Sequence, residues 1–181
     1  GSHPTRNFRE SCFETADKIG GETLTATRLH RNKACASCVI GCGRVAWSEG
    51  KFAGEGEGPE YETAWSFGSD CGIDDIDLVN KANFMCNELG LDTITMGATI
   101  AAAMELYEIG ALSKEEAGFE LNFGNKDAVV ALVEATAYRK GFGNDLAEGS
   151  FRLGTKYGHP EVSMTCKKQE MPAYDPRGIQ G

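Results

Sequence analysis

The chain has 181 residues, 27 acidic and 18 basic, with a formal charge of -9, and is long enough for one domain, or one large domain and the start of another, burying roughly two-thirds of its unfolded surface. The acid excess is spread along the chain rather than gathered in a tail, which argues against a nucleic-acid groove or an anionic membrane surface as partner. No run approaches ~18 apolar residues and the opening GSHPTRNFRE lacks an apolar core, so neither a transmembrane span nor a signal peptide is expected.

In chain order, Gly1-Ser2-His3 (1–3) reads as an expression-tag scar outside the fold. Residues 5–18 place Phe8, Cys12, Ala16 and Ile19 at helical spacing before Gly20-Gly21, which predicts a first helix. Arg44 to Trp47 and Lys51 to Ala53 flank Ser48-Glu49-Gly50 as a hairpin. The stretch EGEGPEYET, Glu55 to Thr63, reads as a long polar loop of the kind that carries function. Residues 75–89 follow Asp74 as an N-cap, carry Leu78, Val79, Ala82, Met85, Cys86 and Leu89 on one stripe, and stop at Gly90. Residues 93–109 are apolar on most sides and end at Gly110, which predicts a central helix. Ser113 with Glu116 forms a capping box for a short helix, residues 126–140 run as a helix from Asn125 to Gly141, and another short helix follows Asn144. Val162, Met164 and Cys166 alternate as a strand before the turn at Pro172. The fold class is mainly α, a multi-helical domain with a small β-hairpin element.

Seven cysteines are an odd count in a chain without a secretory signal, which predicts a reducing, cytoplasmic setting rather than a disulfide scaffold. Cys12, Cys71, Cys86 and Cys166 read as small buried apolar residues. Cys35, Cys38 and Cys42 stand apart as C-x-x-C-x-x-x-C, with Ala36, Ser37, Gly41 and Gly43 small enough for a tight turn around one metal or cluster. A structural zinc or a cubane cluster normally takes four ligands. For zinc, the nearest fourth donor is His30, which beside Arg28 and Arg31 also reads as a solvated side chain.

ACASCVIGCGRV, EGEGPEYETAWSFGS at 55–69, NELGLDTITMG at 87–97 and EMPAYDPRGIQG at 170–181, in that order and at those distances, resemble the aldehyde ferredoxin oxidoreductase family of tungsten-containing, in some members molybdenum-containing, enzymes. The resemblance implies oxidation of an aldehyde with water to a carboxylic acid at a tungsten or molybdenum bispterin, with electrons passed through a [4Fe–4S] cluster to ferredoxin. It implies that Cys35, Cys38 and Cys42 are three of four cluster ligands, the fourth lying in a downstream D-x-x-G-L-C-like motif. The D-x-x-G-L-D loop that binds a pterin in the family corresponds to Asn87-Glu88-Leu89-Gly90-Leu91-Asp92. Asn87, Gly90, Leu91 and Asp92 are the implied cofactor residues, and Asn87 departs from the family aspartate by losing a charge while keeping an acceptor. Gly90 as a helix C′ residue and Asp92 as an N-cap are the structural alternatives. Tyr61 and Glu62 resemble the pair beside the metal, a carboxylate to activate water and a phenol to orient the carbonyl oxygen, with Glu60 as the competing carboxylate.

The same resemblance implies that 4–169 is the helical middle domain and 170–181 the start of a third, truncated domain, with the missing domains of the same chain as partners. Such a fragment is expected to hold cluster and bispterin incompletely or not at all, to be inactive alone, and to self-associate or be disordered around 35–65 and 87–97. Two other functions fit the residues without the resemblance: a noncatalytic zinc or iron–sulfur interaction domain, and a thiol-only helical interaction module.

Overall fold

The computed structural model describes residues 3–175; Gly1, Ser2 and the PRGIQG end of the last motif lie outside the described residues. The helix that is apolar on most sides forms the centre. This is α4, Thr93–Glu108, in which Met96 to Met104 and Leu106 are buried. A helix with no polar face has nowhere stable to sit except between other elements. Around it lie α2 (Tyr61–Phe67), α3 (Ile76–Leu89), α5 (Lys114–Ala117), α6 (Lys126–Ala137), α7 (Gly143–Leu146) and α8 (Ser150–Lys156), with α1 (Gly21–Thr27) nearer the amino end. One apolar cluster joins Phe52, Phe67, Leu78, Val79, Ile100, Met104, Leu132 and Leu153; a smaller one joins Phe8, Trp65 and Ala173. No helix among the described residues is long and apolar enough to cross a membrane.

Helix boundaries follow local chemistry. Asp75, not Asp74, caps α3, its carboxylate accepting from the N–H groups of Asp77 and Leu78, while Asp74 pairs instead with Lys18 at 2.6 Å. Gly90 ends α3 in the left-handed conformation and Asp92 caps α4. The Ser113–Glu116 capping box and the Asn125 cap are both formed.

The expected helix over 5–18 is absent. Thr5 and Glu10 instead bridge a tight turn in which Arg6, Asn7 and Phe8 all have positive φ, and only Ala16–Ile19 forms a short 3-10 turn. Three successive left-handed L-residues cost about 1–2 kcal/mol each, so tertiary bonds must hold them. Arg6 and Asn7 donate their N–H groups to the carbonyls of Ser69 and Asp70. Trp65 Nε1 and Ser69 Oγ donate to Pro4 O, and Asn7 Nδ2 donates to Glu105 and Val162 O. His3 belongs to this arm: its N–H donates to Ser11 O and its ring meets Tyr61 edge-on. Gly20-Gly21, read as a stop, starts α1.

The β element is a three-stranded antiparallel sheet in the order β1-β2-β3, with β1 at Leu29–Lys33, β2 at Gly43–Ser48 and β3 at Gly54–Glu57. The segment expected as the second hairpin strand is a 3-10 turn, Gly50–Phe52, pulled inward by burial of Phe52. Part of the expected polar loop is β3, and its glycines have a packing role: a Cβ on Gly56 would lie 2.8 Å from the Phe84 ring of α3. The alternating stretch near the end contributes only β4, Thr165–Cys166, paired with β5, Gln169–Glu170. Of the four isolated cysteines, Cys71 and Cys86 are buried and Cys12 and Cys166 exposed.

Two substitutions test this packing. A Cβ on Gly97 would come 2.6 Å from Ser66 Cβ, where α4 meets α2; Gly97→Ala is expected to lower stability by about 1–3 kcal/mol in urea unfolding through overpacking. Asp70 is fully buried with neither carboxyl oxygen hydrogen-bonded, and burial raises its pKa well above the ordinary value, only partly offset by the nearby N–H groups of Phe8 and Asn7. Because the folded pKa exceeds the unfolded one, the contribution of Asp70 is fully present below about pH 4 and is lost as pH rises toward the folded value. Asp70→Asn should therefore gain stability relative to the parent as pH increases; a difference independent of pH between 4 and 8 would contradict a buried neutral carboxyl.

Candidate functional site

The start of α2 and the start of α4 lie side by side. Thr63 Oγ1 and Thr93 Oγ1 are 2.8 Å apart, and Ser66 Oγ donates to Thr93 O at 3.0 Å. Between these helix ends, α3 and the 57–60 turn, a recess of about 280 Å³ is lined by Glu60, Glu62, Thr63, Asn83, Asn87, Asp92 and Thr93 among others. Glu62, Asn87 and Asp92, singled out separately in the sequence, thus share one wall. Glu62 is held in place there, one carboxylate oxygen accepting from Ala173 N–H at 2.8 Å. Asp92 accepts from Thr95 N–H at 2.7 Å as the α4 cap. Gly90 supplies the left-handed turn, with its N–H and that of Leu91 both donating to Cys86 O. These two bonds close the turn that carries Asp92 from the end of α3 to the start of α4.

Asn83 and Thr93 were not picked out beforehand. Asn83 Nδ2 donates to Glu57 O at 2.7 Å, fixing β3 against α3. Asn80, Asn83 and Asn87 recur at i, i+3 and i+7, an amide stripe along one side of α3. That spacing was the available signal.

Tyr61 turns away from Glu62. Successive helical residues point about 100° apart, and Tyr61 lines a separate recess of about 410 Å³ with His3, Ile19, Glu60 and Ala64. Glu60 lines both recesses. Partial burial, then the charge of Glu62, raises the Tyr61 pKa.

Cys35, Cys38 and Cys42 all lie on the exposed connection between β1 and β2 and are free thiols. Ser37 and Gly41 take positive φ, and Cys38 N–H donates to Cys35 O at 3.1 Å. The nearby backbone N–H groups of Gly41 and Ile40 lower the Cys38 pKa. The loop tip is apolar and uncovered, Val39 at 101% and Ile40 at 79% exposure. Among the described residues, no three His, Cys, Asp or Glu side chains converge to hold a metal ion. His30 Nδ1 lies 3.0 Å from the Glu55 carboxylate.

The exposed Cys38 thiol, with its lowered pKa, is set for early reaction, since the thiolate is the nucleophile. Burial pushes the Cys71 thiol up and the Cys86 thiol up to about 12. Timed alkylation with iodoacetamide and peptide mass spectrometry should label Cys38 well before Cys71 and Cys86, which should react only on unfolding. Equal rates for the three would contradict the loop geometry.

The comparisons agree with one another. A family model described as aldehyde ferredoxin oxidoreductase, domains 2 and 3, matches residues 1–181. The tungsten-containing aldehyde ferredoxin oxidoreductases of Pyrococcus furiosus and Thermococcus kodakarensis are each 50% identical over 183 aligned residues, covering 100% of this chain and 30% of the relative. The WOR-like subunit of an aliphatic sulfonate oxidoreductase from Pyrococcus furiosus is 31% identical, over 86% of this chain and 25% of its own length. The active-site complex of benzoyl coenzyme A reductase with 1,5-dienoyl-CoA shares the fold, with a TM-score of 0.75 and 22% identity over 93% of this chain and 26% of that one. The chain therefore spans about 30% of the length of these two curated relatives. With the family model matched from end to end, this chain belongs to the aldehyde ferredoxin oxidoreductase family.

Proposed function

We propose that this chain is the helical part of an enzyme that oxidises an aldehyde, with water, to the carboxylic acid and passes the two electrons to ferredoxin. The observation that carries the reading is the shared recess of Glu62, Asn87 and Asp92, residues of two motifs brought together only by the fold. The wall is rich in acceptors, with Glu60, Glu62, Asp92 and the Asn87 side chain facing one space. Those acceptors fit the amine and ring N–H groups of a pterin. Asn87, Gly90, Leu91 and Asp92 would hold it, Asn87 by an uncharged acceptor and Gly90 and Leu91 by setting the turn. The tungsten or molybdenum bispterin, when bound, supplies the two-electron chemistry.

The chain's own residues supply the rest. Glu62, with one oxygen occupied by Ala173 N–H, has its other oxygen available to take a proton from water as it adds to the aldehyde carbon. Tyr61 keeps an O–H donor in the adjoining recess, which shares Glu60 with that of Glu62. Cys35, Cys38 and Cys42 would ligate three corners of a [4Fe–4S] cluster. They fit by donor type: three soft thiols on a run without a carboxylate from Ala34 to Gly43.

The deciding experiment is Glu62→Gln in the full-length enzyme. Turnover should fall by about 10²–10⁴-fold, the range for a lost general base, while tungsten content stays near that of the parent. Parallel loss of metal and turnover would make Glu62 a structural residue and remove it from the chemistry.

A further inference from the structure

Arg44 joins the two halves of the proposed site. Its Nη2 donates to Cys42 O at 3.1 Å and lies 3.3 Å from a Glu60 carboxylate oxygen, while Nη1 donates to Pro59 O at 3.1 Å. The backbone closes the same connection, Gly58 N–H donating to Arg44 O at 2.9 Å. Gly58 is required by this arrangement: a Cβ there would sit 2.3 Å from Arg44 Cγ and 3.0 Å from Cδ. Cys42 ends the cysteine loop, and Pro59-Glu60 is the turn that launches Tyr61 and Glu62. Neither the Cys42 carbonyl nor the Pro59 carbonyl is used by a strand or a helix ladder among the described residues. One cation thus serves acceptors on both segments, just beyond the end of the β2–β3 pairing that joins their strands.

We propose that Arg44 is a positioning residue that sets the cysteine loop in register with the Glu60–Glu62 segment, so that loop and recess move as one unit. The planar fork is essential, because a lysine ammonium is a compact point charge that does not span carbonyls on both segments together with a carboxylate. The cation also lies against the backbone of a loop whose cysteines are the proposed cluster ligands, where positive charge favours the added electron. That second consequence rests on the cluster reading above; the mechanical coupling does not.

The test is NMR relaxation on the 181-residue chain. In Arg44→Gln the backbone order parameters of Cys42 and Gly43 and those of Glu60 and Tyr61 should fall together, from rigid values of about 0.85 to below about 0.6, while those of α4 stay unchanged. Arg44→Lys should restore at most one of the two segments. Gly58→Ala, which displaces the side chain without altering residue 44, should loosen both. Loosening of one segment alone, equal loosening of α4, full restoration by lysine, or a rigid Gly58→Ala variant would each overturn the inference. In the full-length protein, Arg44→Gln should lower the cluster reduction potential with iron content retained, and an unchanged potential would overturn the electrostatic part. A full-length parent without iron would refute the cluster reading, while the paired loosening would still decide the role of Arg44.

Discussion

The close approach of α2 and α4 is the constraint on which the site depends. Gly97 has no side chain where Ser66 presses against α4, and the absence of that one Cβ lets two helices meet almost backbone to backbone. The contact is then locked by polar bonds that also satisfy buried groups: Ser66 Oγ to Thr93 O, Thr63 to Thr93, and the Cys71 thiol to the carbonyls of Ser66 and Gly97. Because a helix is stiff, fixing this contact fixes both amino-terminal ends, and with them Glu62 and Asp92. A recess formed from helix ends needs little further machinery to hold its carboxylates apart.

The amino-terminal arm illustrates how far tertiary bonds override local preference. Arg6, Asn7 and Phe8 each occupy the left-handed region, which isolated L-residues avoid. The arm stays because its polar groups find partners on the core, and because Phe8 stacks edge-to-face on Trp65 with ring centroids 5.3 Å apart. Beneath it lies Asp70, buried and with neither carboxyl oxygen bonded, a cost the surrounding packing offsets. The arm also brings His3 against Tyr61, so a segment remote in sequence shapes the second recess.

Charge is organised locally although the whole chain is acidic. Residues 23–48 contain no acidic side chain and carry Arg28, Arg31, Lys33 and Arg44. Most of these cations are answered from other segments: Arg28 by Asp77 and Glu49, Lys33 by Glu57, and Arg44 by Glu60. Arg28 also stacks over Trp47. The exposed pairs, such as Lys33–Glu57, add little to stability, whereas the Arg28–Asp77 pair is largely buried; together they fix the outer face of the sheet, and the cysteine loop from Ala34 to Gly43 carries no charged side chain.

Local chemistry, read directly from the residues, determined the mainly helical class, the centrality of α4, the caps at Asp92, Ser113 and Asn125, and the stops at Gly90 and Gly110, because a capping bond or a left-handed glycine acts over three or four residues. Spacing also singled out Cys35, Cys38 and Cys42, whereas Glu62 and Asp92 were implied by the family resemblance alone. The tertiary structure alone decided that 5–10 is a left-handed turn rather than a helix, and that the glycines of β3 exist to admit the Phe84 ring. It alone decided that Tyr61 and Glu62 face different recesses, and that Arg44 reaches Cys42 and Glu60 at once. The physical reason is the same in each case: these features are set by contacts between residues far apart in the chain, and periodicity carries information only about neighbours.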